Sequence, residues 1–271
     1  PRAVEPKGGV GAVAGKPRMN LALRRHAWVV GLSGLLAALF IFTRIIQPDY
    51  GADGFGSLVR AALPFVFAVA GQTVVVIAGG IDLSIASMMA LTSVTAATLM
   101  DGASEPFGIV AVAAVLLLGL VLGAVNGILI VVSRVPDIVV TLAMLFVWQG
   151  AALLVRDSPG GAASEWLKEL VVGNLAVPGI PPEVTNWVPK ALILMVLCLV
   201  AVWVPLSRSR LGLSIYAIGS SSLAAFRSGV NVSRTKIVAY AFAGLFAAMG
   251  GLVLTMSTGQ GAPIPGPYLL A

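Results

Sequence analysis

The chain has 271 residues, of which 58% are hydrophobic and only 10% charged, with a mean hydropathy of +1.00. Soluble globular domains carry about 25% charged residues, so the composition lies outside that class and points to an all-α polytopic membrane protein, a helical bundle. The net charge of +6 would suggest a nucleic-acid partner in a soluble protein; here it is expected to sit in cytoplasmic loops, and no nucleic acid is expected.

Residues 1–26 form a basic tail. Its first nineteen residues contain Gly and Pro without periodicity and read as disordered cytoplasmic chain. The rest, 27–271, reads as one transmembrane domain. Its first apolar run, 27–46, lacks a small-residue cleavage site and is expected to be a retained span rather than a signal peptide.

Further spans are expected at 57–79, 82–100, 108–132, 137–155, 188–206 and 237–257, because about 20 apolar residues as a helix cross the hydrocarbon. That makes about seven crossings. With the N-terminus inside, twelve of the seventeen basic residues fall on the cytoplasmic side and eight of the eleven acids on the other. The positive-inside rule favours this orientation, and adding or removing one span would scramble the split.

Between the second and third spans stands Gly79-Gly80-Ile81-Asp82-Leu83-Ser84, with no room for a loop. The glycines permit a sharp break, and Asp82 stands where an N-cap belongs, facing the N–H groups of Leu83, Ser84 and Ile85. Two readings stay open. One is a broken or re-entrant helix lining a translocation pathway; the other is a tight turn at the cytoplasmic surface. Gln72 and Thr73, about two turns earlier, favour the pathway.

In the next span Gly119, Gly123 and Gly127 recur every four residues, as do Ala243, Ala247 and Gly251 in the last. Small residues at that spacing predict close helix packing in lipid. Asn126 adjoins the first stripe, and either a cavity or a helix–helix hydrogen bond accounts for it. Trp148 and Gln149 are singled out by polarity and depth alone. The segment 156–187 is too polar to span and contains a short amphipathic stretch, Glu165 to Val172.

The loop 207–236 is basic at both ends and contains a short helix-prone piece, Ser221 to Arg227, stopped by Gly229. It could rest on membrane lipid or dock a cytoplasmic partner. The lone Cys198 and lone His26 lack metal-ligand partners and are expected to be structural, with no cofactor. There is no phosphate-binding loop, no HExxH and no GxSxG, so no catalytic residue is expected and any ATP hydrolysis belongs to another chain.

Four blocks carry a family resemblance: "VAGQTVVVIAGGIDLSIASMMALT" (69–92), "GAVNGILIVVSRVPDIVVTLAML" (123–145), "SRLGLSIYAIGSSSLAAFRSGVNVSRTKIVAYAFAGLFAAMGGLVL" (209–254) and "TGQGAPIPGPY" (258–268). The chain resembles the membrane permease subunits of bacterial ABC importers for monosaccharides, the ribose/xylose/galactoside type. The resemblance implies a subunit in the inner membrane that passes a monosaccharide using energy from separate ATPase subunits. A second permease chain (as a homodimer) and a periplasmic sugar-binding protein would complete it. The resemblance moves the motif with Gly79, Gly80, Asp82 and Ser84 toward the translocation pathway; Gln72 and Asn126 join it as candidates by polarity and depth alone. It makes the loop around Ser222 to Val232 the ATPase-coupling loop, with Ala224, Ala225 and Gly229 as the matching positions. Segment 156–187 and the residues after 258 are candidates to receive the binding protein.

Ala86 departs from the family's usual glycine, and Ser220-Ser221 from a common Gly-Asn pair. The family continues for about three more spans, so the chain is expected to be a fragment or a truncated product. Two other classes stay open: an ion-coupled secondary carrier using Asp82, and a non-functional permease fragment.

Overall fold

The computed structural model describes residues 27–263 except 49, 176–178, 180 and 182–184. The basic tail 1–26 and the end of the "TGQGAPIPGPY" block lie outside the described residues. The chain divides into two units after Gly51.

In the first unit, α1 (Ala27–Ile46) is one apolar helix with no buried residue. A helix apolar all round belongs in lipid. Its C-terminal turn is tied off locally: Arg44 Nη1 donates to the Tyr50 carbonyl at 2.6 Å, and the Phe40 and Tyr50 rings meet edge to face at 5.9 Å.

The second unit holds α2 (Ala52–Ile77), α3 (Ile85–Met100), α4 (Phe107–Ser133), α5 (Asp137–Val155) and α6 (Glu165–Val171). It continues with α7 (Lys190–Arg208), α8 (Arg210–Ser220), α9 (Ser222–Arg227) and α10 (Val232–Thr258). Among the described residues, α1, α2, α4, α5, α7 and α10 are long and apolar enough to cross a membrane. The seventh expected crossing, α3, has 16 residues and reaches about 24 Å at the helical rise, short of a full hydrocarbon core. It is the most enclosed of the segments: Ile85 to Val94 are all buried. A helix that touches protein on every side need not match the bilayer by itself.

The core is built around α10. Gly119, Gly123 and Gly127 of α4 pack antiparallel against Ala248, Gly244, Tyr240 and Ile237 of α10. The expected stripe Ala243, Ala247 and Gly251 faces other neighbours: Ala243 meets Gly71 of α2, and Gly251 lies against Met89, Thr92 and Ser93 of α3. So α10 carries two small-residue faces, and the one that meets α4 is offset from the expected stripe by one position. Ser93 and Thr255 hydroxyls join at 2.9 Å across the α3–α10 seam. Interhelical bonds of this kind supply part of what the hydrophobic effect does not supply within lipid.

The turns sort into two ends. At one, Glu105 receives the Glu165 N–H at 3.1 Å, Gly161 approaches Ala97, and Gly160 bridges Gly261. At the other, Gly80 approaches Asp137 and Tyr240, and Gly219 approaches Ile77. Each of α3, α4, α5 and α10 runs from one end to the other, so α3 joins the same two ends as its longer neighbours.

Candidate functional site

Helix α2 stops at Ile77 and α3 starts at Ile85; the residues between form the break. Gly79 has φ +81°, a left-handed conformation that a side chain would strain. The Gly80 N–H returns to the Val75 carbonyl at 2.9 Å, closing the α2 terminus.

Asp82 does not cap α3 as the sequence suggests. The residue preceding α3 is Ser84, and Asp82 stands two positions further back. Its Oδ1 accepts from Ser84 N–H at 2.8 Å and from Ser84 Oγ–H at 2.6 Å. The reason lies across the bundle, where Ser84 Oγ itself accepts from Asn126 Nδ2 at 2.7 Å. Asn126 Oδ1 in turn accepts from Trp148 Nε1 at 3.1 Å. Four residues on α5, α4 and the break thus form one chain of donors running Trp148, Asn126, Ser84, Asp82. Asp82 is 4% exposed, and Ser84 and Asn126 are fully buried.

Depth follows from helical rise. Asn126 lies about 10 Å inside the α4 terminus at Ser133, and Trp148 roughly 16 Å along α5 from Asp137. Ser84 therefore reaches inward to the level of Asn126, while Gly80 and Ile81 stay level with Asp137 and Thr141 in the first turns of α5, at the end of the bundle. Irregular backbone at such depth is tolerated where protein or a water-filled cavity surrounds it.

Besides the Ser257 hydroxyl near the end of α10, two buried acceptors remain without partners among the described residues: Asp82 Oδ2 and Gln72 Oε1. Both residues line one cleft of about 560 Å³, together with Leu83, Met89, Leu142 and Leu145. Buried polar atoms are nearly always satisfied, so two orphans on one cleft, within the usual size range of ligand sites, mark a place for donors from outside the chain. Of the residues singled out in sequence, Gln72, Asp82, Ser84, Asn126 and Trp148 come together around this site. Gly79 and Gly80 shape its edge, and Gln149, half-buried, stands outside the chain of bonds.

The short helix α9 is capped at both ends. Ser221 Oγ accepts from the Ala224 N–H at 3.3 Å, and Gly229 (φ +84°) and Val230 return their N–H groups to Phe226 and Ala225 at 3.0 Å. Those two bonds make a Schellman turn. Ser222 Oγ donates to the Ile218 carbonyl at 3.0 Å, joining α9 to α8, and Val232 opens α10. Ala224 and Gly229 are exposed, but Ala225 is buried against the bundle. The apolar groups that α9 presents outward are Leu223 and Phe226, at 60% and 69% exposure. They went unnoticed in the sequence because six residues show no helical period.

A bundle with six helices long and apolar enough to cross a membrane, and a largely apolar cleft beside the break between two of its helices, is the build of a polytopic membrane protein. Residues 54–270 match the family described as branched-chain amino acid transport system / permease component, and the chain belongs to that family. It is similar to the ribose import permease protein RbsC of Escherichia coli K12, with 31% identity over 89% of this chain and 74% of the relative. It is also similar to RbsC of Haemophilus influenzae, with 27% identity over 85% of this chain and 70% of the relative. Similarity to the autoinducer 2 import system permease protein LsrD of E. coli K12 is 29% over 87% of this chain and 70% of the relative. No solved structure matches.

Proposed function

We propose that this chain is the membrane-spanning subunit of an ATP-binding-cassette importer that moves a monosaccharide or a solute of like size and hydroxylation into the cell. Ribose, a monosaccharide, stands in the name of one relative and autoinducer 2 in that of another. The observation that carries the reading is the pair of orphaned acceptors, Asp82 Oδ2 and Gln72 Oε1, on one cleft at the break. Hydroxyl groups of a solute are the donors such a pair needs. The leucines and Met89 on the same wall keep the site weakly sticky, as release to the other side requires.

Energy comes from separate cytoplasmic ATPase subunits seated on α9, with Leu223 and Phe226 as anchors. A second permease chain lies beside this one, and a periplasmic binding protein delivers solute to the end formed by 101–106, 156–165 and 259–261. The N-terminus is cytoplasmic, which puts α8 and α9 on the ATPase side of the inner membrane. Residues 27–271 act as one permease domain behind a basic tail. An ion-coupled carrier is not favoured: membership of this permease family and a well-formed α9 both speak for an ATPase-driven partner.

The test is co-purification of the tagged chain from cells that express the ATPase encoded beside it. Wild type retains the ATPase, and Leu223→Glu/Phe226→Glu loses it while keeping its gel-filtration profile. A wild-type chain that never holds the ATPase refutes the reading.

A further inference from the structure

A second polar cluster, separate from the chain of bonds at Asp82, occupies the end of the bundle that carries α8 and α9. Asp137, the first residue of α5, accepts from Lys236 Nζ on Oδ1 at 2.7 Å and from Tyr240 Oη on Oδ2 at 2.8 Å. Both donors sit in the first turns of α10, which begins directly after the Schellman turn of α9. The same Tyr240 hydroxyl lies 3.5 Å from the Ile81 carbonyl oxygen, to which Thr141 donates at 3.3 Å.

The break is enclosed from this side. A Cβ at Gly80 would stand 2.5 Å from Asp137 Oδ2 and 2.6 Å from Tyr240 Oη. From the other side Gly219, near the end of α8, presses on the Ile77 carbonyl so closely that any side chain there would overlap it. The break is held between the element that precedes α9 and the element that follows it.

Tyr240 is fully buried, and the Lys236 and Asp137 side chains are 25% and 13% exposed. An ion pair so placed is weak evidence for stability, since desolvation cancels much of its attraction; setting a register or a switch is its best-attested use. Loss of one partner leaves the other stranded, so the three groups favour forming or parting together.

We infer that Asp137, Lys236 and Tyr240 are positioning residues that latch the 79–82 break to the first turns of α10. Movement of α9 is thereby passed to the pathway. The coupling part rests on the reading of α9 as the ATPase dock. A tilt of α9 carries Val232 to Lys236 with it, draws Lys236 and Tyr240 away from Asp137, and frees Gly80 and Ile81. When α9 returns, the three groups re-form and close the break.

The first test needs no partner. In membranes containing the full chain with Cys198→Ala, the buried Ala78 beside the break is changed to cysteine and its maleimide labelling rate is measured. Adding Lys236→Met with Tyr240→Phe raises that rate about tenfold, the order of change that loss of charge-assisted hydrogen bonds produces. Lys236→Arg, which can still donate to Asp137, stays near the starting rate. Equal rates in all three chains overturn the latch. A general loosening overturns it too, and is recognised by equally faster labelling of Ala97→Cys at the far end of α3.

The second test reconstitutes the chain with its ATPase and binding protein in liposomes. The double variant keeps the ATPase bound but moves several-fold less solute per ATP hydrolysed, and Lys236→Arg restores the ratio. An unchanged ratio overturns the coupling role. If wild type holds no ATPase, the docking reading fails and the coupling role with it, while the labelling rates still decide whether the cluster closes the break.

Discussion

Gly123 offers the most direct check on how the bundle is assembled. An alanine there would place its Cβ over the Tyr240 carbonyl oxygen, 2.9 Å from the Tyr240 carbonyl carbon and 3.0 Å from the Gly244 nitrogen. All three obstacles are backbone, so no rotamer change relieves them. Ordinary contact begins at 3.4 Å, and to clear the carbonyl oxygen α4 and α10 would have to part by about an ångström. Overpacking of this kind costs about 1–3 kcal/mol, and the upper part of that range applies because the whole seam from Gly119 to Gly127 opens together. Gly150 of α5 is the matched control, with nothing within 4 Å of an added Cβ. Alanine there gains helix propensity only, up to about 1 kcal/mol. In detergent, the melting temperature of Gly123→Ala should fall by roughly 5–10 °C, while Gly150→Ala stays level or rises slightly. Equal melting of the two variants would show that α4 and α10 do not meet in this register.

The chain of bonds at the break should behave as a unit. Trp148→Phe and Ser84→Ala should each cost about 0.5–1.5 kcal/mol in denaturant titration, and the pair should cost less than their sum because both act through Asn126. At the glycines of the break, Gly79→Ala meets only backbone strain, about 1 kcal/mol, whereas Gly80→Ala drives a methyl into Asp137 and Tyr240 and should melt distinctly lower. The Arg156–Asp101 pair, 3.6 Å apart with side chains 29% and 51% exposed, should be nearly silent: Asp101→Ala should change stability by less than about 0.5 kcal/mol.

Much of the fold could be read from hydropathy, because lipid demands long apolar runs and leaves little freedom in where they lie. The bounds expected at 27–46 and 137–155 coincide with α1 and α5. Helices that begin in polar residues were misjudged by the same measure. Helix α10 starts at Val232, five residues before its apolar run, and its signal was a cap: Asn231 Oδ1 accepts from the Arg234 N–H at 3.0 Å. Helix α8 went unread altogether, although Ser209 caps it by accepting from Gly212 N–H at 3.0 Å. At the site, the residue types Gln72, Asp82, Ser84, Asn126 and Trp148 could be chosen by polarity and depth. Their order along one chain of bonds could not, since Ser84 and Asn126 meet across 42 positions and Lys236 and Asp137 across 99. Ala225, matched by family pattern to the docking loop, turns its side chain inward against the bundle, which a six-residue stretch gives no periodicity to show.

Two carboxylates flank the break, and the way each is satisfied separates their roles. Asp137 has a cation on one oxygen and a phenol on the other, both from α10, and nothing is left for a ligand. Asp82 has both of its donors on one oxygen and none on the other, and no cation among its hydrogen-bond partners. A buried group that is fully paired fixes geometry, and its loss strands its partners; a group left half-paired beside a cleft has an oxygen free to accept from a donor outside the chain. The two should therefore fail differently. Asp137→Ala strands Lys236 and Tyr240 and should lower the melting temperature with or without solute. Asp82→Asn keeps an oxygen for Ser84 and nearly the same volume, so it should leave melting almost unchanged while altering uptake. If Asp82→Asn instead unfolds the chain as readily as Asp137→Ala, then the free oxygen is no solute site, and the carboxylate serves only to hold the break together.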